Sequence, residues 1–512
     1  SLPIRQSALT FHAVSFPEYK DSDSGESPLP RRHGVGIDRT TGAASDGALY
    51  EHEFLPRGTK FDIRITAEGR DDETMGRDQS KGIPGPASSD SVKKLLEVIV
   101  DVLTSGAVCL GGRTGSGQGT IQVIEPKLRR TGKTTDAGAL TAPEDVLDAL
   151  IGEDEEGTPI PLELGGWSLG EPARIRITWW SPTGIFVAED EKLTKQRKAQ
   201  KEAENRKKGI DEEVHEVVYP LRDPSVAWDE AQLLIPGTSI RGALRSRASR
   251  IARTVLAARD ELSTFTSHDL HEQIAAEPNL VRYMFGSTEY RGAVTVHDCL
   301  SSDPGKCIEV THNAIDRWTG GVIDGGLFTE AVYLGTHWEP ITIDIDLRQL
   351  LNNIEAEKGP EDDGKTVGAD QTGIGSEDRE QSNPTHADYA HAAYVLLGLV
   401  LAELSAGTLP LGSRSTRGLG QVIVSSIMVR GSTWDGVAIP ERKLDGGKEL
   451  EHPGTAASSP TQDRYDAQRK LARNVLDHLR EDIEGAPKWS KRLDDATEKD
   501  GTESKGKEDT HE

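Results

Sequence analysis

The sequence predicts an α+β protein in which one domain, an antiparallel sheet covered by helices, occurs twice in tandem. An internal repeat is the first observation behind this expectation. Asp38-Arg39-Thr40-Thr41-Gly42-Ala43-Ala44-Ser45-Asp46-Gly47-Ala48-Leu49 aligns with Asp316-Arg317-Trp318-Thr319-Gly320-Gly321-Val322-Ile323-Asp324-Gly325-Gly326-Leu327 at an offset of 278, with seven identities in twelve positions. A second pair, Leu110-Gly111-Gly112-Arg113-Thr114-Gly115-Ser116-Gly117-Gln118-Gly119 against Leu411-Gly412-Ser413-Arg414-Ser415-Thr416-Arg417-Gly418-Leu419-Gly420, repeats at an offset of 301. The third observation is order, because each glycine loop follows a helical segment and precedes a β-rich run, Thr120 to Ile124 or Gln421 to Val424.

In the first copy, Leu2 to Val14 is strand-like and Gly34 to Ile65 forms a long hairpin whose turns are marked by Thr41-Gly42 and Asp46-Gly47. Ser91 to Leu103 is an amphipathic helix with Val92, Leu95, Leu96, Ile99 and Leu103 on one face. Residues 125–170 read as a linker with a short helical stretch, Pro143 to Ile151, and an acidic run from Glu153 to Glu156. The second copy opens with the alternating strand Ala173 to Trp180. The charged Glu191 to Lys208 follows, with no apolar face, as a solvated helix or disordered insert. Ile235 to Arg245 then starts a helix running to about Asp260, with Thr238 or Ser239 as N-cap and Ile240, Leu244, Ile251 and Val255 at helical spacing. Arg282 to Gly286 reads as a turn, Gly292 to Leu300 as a strand, and Ile315 to Ile345 as a projecting hairpin. Residues 352–386 are a flexible polar insert, and His391 to Leu404 a helix apolar on nearly every face. Beyond Val429 the chain thins out, except for a helix from Thr461 to Glu484 with Tyr465, Leu471, Val475, Leu479 and Ile483 along one stripe, followed by an acidic tail.

The net charge of −25 and pI near 5.1 argue against a protein that coats nucleic acid over its whole surface, so any RNA contact is local. Cys109, Cys299 and Cys307 lack the spacing of a disulfide framework or a structural zinc site and read as the free thiols of a cytoplasmic protein. The most apolar run, Ala392 to Leu404, is too short to span a bilayer, so no membrane partner is expected.

The helix after Ile235-Pro236-Gly237 carries Arg241, Arg245, Arg247, Arg250 and Arg253 without one acidic residue among them. A helix N-terminus with arginine in its first turns suits a phosphate oxygen, although a solvated basic face explains the pattern equally. In the glycine loops, Gly117, Gly119, Gly418 and Gly420 allow close backbone approach to a phosphate, and Arg414 or Arg417 supplies charge. Arg39 and Arg317 each follow an aspartate, which reads either as a turn-fixing pair or as an RNA contact. Trp318 reads as a base-stacking or a core indole, and His33 and His312 as structural.

The pattern Ile235-Pro236-Gly237-Thr238-Ser239-Ile240-Arg241-Gly242-Ala243-Leu244-Arg245, with the Arg282–Gly286 and Val294–Asp298 stretches and the glycine loops after it, resembles the RAMP superfamily (repeat-associated mysterious proteins). Within that superfamily the resemblance is to backbone subunits of type III CRISPR effector complexes, and it covers roughly 1–125 and 170–430. It implies tandem ferredoxin-like, RNA-recognition-type domains with antiparallel sheets, thumb hairpins and glycine-rich loops. The thumb would wedge between bases of the guide-target duplex. Domain bounds follow as 1–128, a first RAMP domain without its N-terminal half; 129–170, a linker; 171–430, a second RAMP domain with inserts at about 190–214 and 352–386; and 431–512, a C-terminal extension. The implied function is a CRISPR RNA-binding subunit in antiviral defence, with CRISPR RNA, complementary target RNA and other type III effector subunits as partners. A target-cutting, metal-dependent endoribonuclease and a RAMP-type processing ribonuclease are the alternatives.

Family members that cut target RNA use an aspartate between the first strand and the I-P-G motif, with Mg2+ or another divalent metal. Here that loop, Gly184 to Leu234, offers Asp190, Asp211, Asp223 and Asp229. Asp211 and Asp223 are the catalytic candidates. The resemblance places the aspartate six residues before Asp223, where this chain has Val217 flanked by His215 and Glu216.

Overall fold

The computed structural model describes residues 9–14, 29–67, 89–105, 108–130, 158–166, 171–211, 214–223, 231–258, 269–359, 385–452 and 462–482. In chain order its first strands are β1 (Leu9–Phe11), β2 (Arg31–Ile37), β3 (Ala44–Glu53) and β4 (Ile65–Ala67), followed by helix α1 (Ser89–Thr104). Strands β5 (Leu128–Arg130) and β6 (Thr158–Ile160) come next, then β7 (Ala173–Trp180), α2 (Glu191–Lys208), β8 (Val217–Val218), β9 (Leu234–Ile235) and α3 (Gly237–Ala257). Two short helices, α4 (Leu270–Ala275) and α5 (Asn279–Phe285), precede β10 (Val294–Val296), β11 (Cys299–Asp303), β12 (Lys306–Ile315), β13 (Val322–Leu334), β14 (His337–Trp338) and β15 (Ile341–Ile345). The chain continues through α6 (Leu347–Lys358), α7 (His386–Ser405), β16 (Ile423–Arg430), β17 (Ser432–Trp434), β18 (Val437–Ile439), β19 (Arg442–Asp445) and α8 (Gln462–Asp482).

Contacts divide the chain into two compact units that interleave in sequence. One comprises Ser1–Lys20, Lys60–Gly112 and Gly119–Glu171; the other comprises Asp21–Thr59, Arg113–Gln118 and Pro172–Glu512. The first hairpin, β2–β3, and the tip of the first glycine loop thus belong to the same body as the second copy. In the first unit β1 pairs antiparallel with β4, and β5 with β6, inside what the sequence suggests is a linker. The Pro143–Ile151 stretch and the acidic run lie outside the described residues.

The second unit is built on a five-stranded sheet of order β10-β15-β7-β16-β19 with every neighbour antiparallel. Taken along the chain, β7–α3–β10–β15–α7–β16 is a βαββαβ unit with its strands in the order 4-1-3-2, which is the ferredoxin-like arrangement, and β19 extends it. Alternation along β7 buries Ala173, Ile175, Ile177 and Trp179 and turns Arg174, Arg176 and Thr178 the other way. Helix α3 packs on the buried face through Ile240, Leu244, Ala248, Ala252 and Leu256, a strict four-residue stripe. Burying five such side chains at about 25 cal/mol per Å² of apolar area is what holds this basic helix on the sheet.

Helix α7 spans 20 residues and is longer than the apolar run alone suggests. By length and composition it could cross a membrane, but 72% of its apolar window is buried within the protein core, which accounts for its apolarity. Its start is fixed by a capping box, Thr385 with Asp388. Several expected elements differ. Arg282 to Gly286 is the end of helix α5 rather than a turn, and Gly292 to Leu300 splits into β10 and β11. The hairpin is β12–β13, whereas Ile341 to Ile345 is a core strand whose Ile341, Ile343 and Ile345 are fully buried. The chain beyond Val429 does not thin out at once: β17 and β18 pair, β19 closes the sheet, and α8 packs through Leu471, Ala472 and Val475. Most of the 352–386 insert lies outside the described residues.

Candidate nucleic-acid interface

The start of α3 is satisfied from within the chain. Pro236 stands at the N-cap and offers no side-chain acceptor; instead Asp298 Oδ1 accepts from the Gly237 N–H at 2.8 Å, and its other oxygen pairs with Arg32 at 2.8 Å. A carboxylate at the positive end of the helix dipole is the arrangement an incoming phosphate would have to displace. Arg241 donates to the carbonyls of Phe285 (2.5 Å) and Val294 (3.3 Å), and burial pushes its guanidinium down to about 10. Arg245 donates to Glu277 Oε2 (2.9 Å) and Gly286 O (2.9 Å), and the Glu277 carboxylate is fully buried. The structure gives Arg241 and Arg245 contacts within the chain: both guanidinium groups pin α3 to the segment around α5.

Arg39 belongs to the same cluster. Asp38 fixes its own turn by accepting from Thr40 N (2.8 Å) and Thr41 Oγ1 (3.0 Å), and it accepts a third bond from Gln273 Nε2 (2.7 Å). The Arg39 backbone N–H donates back to Gln273 Oε1 (3.0 Å), and its guanidinium pairs with Glu277. The arrangement differs from the Asp-Arg pair read from the sequence: Asp38 fixes the turn through Thr40 and Thr41, and the Arg39 guanidinium goes to Glu277. The tip of the β2–β3 hairpin is thereby docked on the second copy, with His33 against Asp190 (2.9 Å) farther along.

The two glycine loops share one backbone turn. Arg113 and Arg414 both take left-handed φ, 58° and 66°, and open a 3-10 turn that ends on Gly117 (76°) and Gly418 (89°). Leu110 N–H donates to Gly119 O at 2.8 Å and Leu411 N–H to Gly420 O at 3.0 Å. A side chain on Gly119 or Gly420 would meet the carbonyl of Leu110 or Leu411, and one on Gly117 would meet the His297 backbone, so these three glycines serve packing. Gly418 has open space beside it.

Next to Gly418 two cations converge on one buried acid. Arg414 Nε donates to Glu330 Oε1 at 2.6 Å, Arg417 Nη1 lies 3.3 Å from Oε2, and His312 Nε2 lies 3.5 Å from the same oxygen. Glu330 is 1% exposed, but the Arg414 and Arg417 side chains keep 34% and 43% of their surface. The cluster therefore carries surplus positive charge at the surface. Phe186 and Phe328 support it from below, each ring lying under one guanidinium. His312 stacks on Phe328, in keeping with the structural role read for it. From this base β12–β13 extends to a tip where Trp318 is 97% exposed and Arg317 is exposed, so the core-indole reading of Trp318 falls away.

The model of the RAMP superfamily matches this chain over residues 5–122 and 233–423, more than half its length. The chain belongs to the RAMP superfamily. RAMP proteins generally bind CRISPR RNA within multi-subunit complexes, and the two matched regions fall on the two copies. No curated protein matches the chain.

Nearly all of the loop before the I-P-G motif, Gly184 to Leu234, falls outside the matched regions. The expected aspartate position, Val217, lies in β8 and pairs with Thr329, half-buried. Asp190 caps α2 through Lys192 N (2.9 Å), Asp223 is half-buried with its backbone N–H tied to Gln232 O, and Asp211 is exposed beyond the α2 C-cap. Arg222, partner of Asp223 in sequence, donates to Ala231 O and Tyr333 Oη. Asp229 lies outside the described residues. Among the described residues no three His, Cys, Asp or Glu side chains gather as a metal-binding group.

Two basic surfaces lie outside the RNA contacts named from the sequence. Helix α2, anchored by Thr194 and Arg197 on the buried Glu189, carries eight Lys and Arg against three Glu. The exposed sheet face holds Arg176 and Met428 beside Arg174, which forms a bidentate pair with Asp344 (2.6 and 2.9 Å), itself bonded to His297 (2.8 Å). Burial opposes ionisation of Asp344, yet His297 and Arg174 hold its pKa below the usual carboxylate value. The signal was present in the Arg174-Ile175-Arg176-Ile177 alternation.

Proposed function

We propose that this RAMP protein is a cytoplasmic CRISPR RNA-binding backbone subunit of a type III RNA-guided effector complex in antiviral defence. It holds guide RNA, and the guide-target duplex when target RNA pairs. The observation that carries this reading is the half-exposed Arg414–Arg417 pair over buried Glu330, beside open Gly418 at the base of the β12–β13 hairpin. Two guanidinium groups sharing one carboxylate keep a net positive charge for a phosphate, and a loop without a side chain at Gly418 lets the backbone approach it. Arg176 and the lysines of α2 add local positive charge elsewhere on the surface without offsetting the acidic character of the whole chain.

The test is RNA retention by the full chain expressed with its complex. Arg417→Gln leaves Arg414 to neutralise Glu330, so folding is preserved. The variant is expected to retain several-fold less guide RNA and to lower the slope of log affinity against log salt by about 0.7, the value for one phosphate contact on a single strand. Wild-type protein that carries no guide RNA, or a variant indistinguishable from it in both measurements, rejects the reading.

A further inference from the structure

We propose that the first glycine loop and the base of the β2–β3 hairpin form a second RNA-phosphate site, in which Arg113 is the fixed cation and His52 becomes the second by taking up a proton as the phosphate binds. The inference rests on the RNA-binding reading above and adds to it a site and a linkage to pH.

The site emerges when one copy is laid on the other. The offset of 278 that aligns the two hairpin tips continues along both hairpins: Gly34 pairs with Tyr50 as His312 pairs with Phe328, and Arg32 with His52 as Val310 with Glu330. His52 therefore stands where the second copy has its buried acid. In the glycine loops, matched at an offset of 301, Arg113 is the counterpart of Arg414 and shares its left-handed backbone. Ser116 replaces Arg417 and is buried, its Oγ donating to Arg113 O at 2.7 Å. The aromatic support is kept, because the Arg113 guanidinium lies 4.7 Å over the ring of Tyr50, the counterpart of Phe328.

Counterions decide what the exchange of glutamate for histidine does. Arg414 and Arg417 share Glu330, whereas Arg113 is exposed and pairs with no carboxylate among the described residues. The charged groups acting on His52 are Arg113 in the loop and Arg32 across the hairpin, with His33 next along β2; Gln118, Tyr50 and Phe54 complete its surroundings. Arg32 is already occupied, pairing with Asp298 at 2.8 Å and lying 4.4 Å over Phe54. Burial first, then Arg113 and Arg32, lower the imidazole pKa from 6.5 and keep the ring neutral at neutral pH. Its Nδ1 is enclosed without a hydrogen-bond partner, and its Nε2 lies 3.5 Å from Gln118 Nε2. At neutral pH each site thus carries one positive charge in excess, two arginines against a glutamate in the second copy and Arg113 against a neutral ring in the first. Only the first can gain another. A phosphate on Arg113 offsets the arginine charge and gives an imidazolium its counterion, so binding draws a proton onto His52. Gly117, packed on the His297 backbone, holds the loop tip in place before RNA arrives, which limits the entropy lost on binding.

The experiment titrates the full chain with unstructured single-stranded RNA by calorimetry at about pH 6 and about pH 7.5, each in two buffers of different ionisation enthalpy, so that proton uptake is read directly. Wild type is expected to bind several-fold more tightly at the lower pH and to take up part of a proton there. His52→Gln should lose most of that uptake and of the gain in affinity. His52→Glu, which gives Arg113 the counterion found in the second copy, should weaken binding at both pH values. Arg113→Gln, at an exposed position that the fold does not depend on, should bind several-fold more weakly and also lose the uptake. Wild-type uptake in His52→Gln or in Arg113→Gln overturns the inference, as does wild-type affinity in His52→Glu. If Arg417→Gln weakens RNA binding while the His52 and Arg113 variants match wild type, the RNA-binding reading stands and this one falls. A chain that binds no RNA at either pH rejects both.

Discussion

At the scale of single residues, the chain separates cations that hold the fold from cations that face outward, and the sequence does not announce which is which. Arg241 and Arg414 both sit in motifs that suit a phosphate, yet Arg241 ends on two backbone carbonyls while Arg414 keeps a third of its side-chain surface. Residue type and local spacing are alike in the two cases; the difference lies in Phe285 and Val294, which only the fold brings to Arg241. The glycines divide the same way, and here a prediction is direct. Gly119 has φ of 81° and a side chain there would lie 2.0 Å from Leu110 O, whereas Gly418 has φ of 89° and open space. Gly418→Ala should cost about 1–2 kcal/mol, the left-handed backbone penalty alone. Gly119→Ala should cost more, since backbone must also shift. Urea unfolding of the two variants compares them; equal midpoints would show that the close approach to Leu110 is not real.

At the scale of elements, the hairpins and glycine loops were legible because a repeated turn needs repeated residues, and Gly42, Gly47, Gly320 and Gly325 occupy the left-handed positions that such turns require. The seat of the first hairpin was not legible. Gln273 lies in the short α4 and Glu277 in the bend after it, and nothing local ties them to Asp38 and Arg39 more than 230 positions earlier. The extent of β16–β19 was missed for another reason: its strands are three to eight residues long, too short to show a period. The seat yields a prediction of its own. Glu277 is the shared counterion of Arg39 and Arg245, whose side chains are 19% and 17% exposed. Glu277→Ala leaves two part-buried cations facing each other and should destabilise the second unit by about 3–5 kcal/mol. Glu277→Gln keeps an acceptor and should lose less. Limited proteolysis should release the β2–β3 hairpin in both variants before the central sheet is cut; a hairpin as resistant as in wild type would mean that the seat does not hold it.

At the scale of the whole molecule, stability should depend on pH through half-buried histidines. Burial lowers the pKa of His52, His391 and His452 from 6.5, with Arg113 and Arg32 adding to the effect at His52 and His337 at His452. A group depressed in the folded state binds fewer protons there than when unfolded, so its contribution is complete above about 6.5 and is lost as pH falls through the folded value. The thermal midpoint should be level near pH 7.5 and decline toward pH 5.5, and His452→Gln should make the decline shallower. A midpoint that rises on acidification over that window would contradict the assignment. The interleaving of the two units carries a consequence for synthesis. The β2–β3 hairpin leaves the ribosome well before its seat at Gln273 and Glu277, which is translated at least 220 residues after the hairpin ends. At roughly 5–20 residues per second the hairpin waits on the order of ten seconds or more with its docking face uncovered. The nascent chain should therefore be open to chaperone binding and to aggregation during that interval, and a slowed ribosome between Glu53 and Gln273 should lower the yield of folded protein.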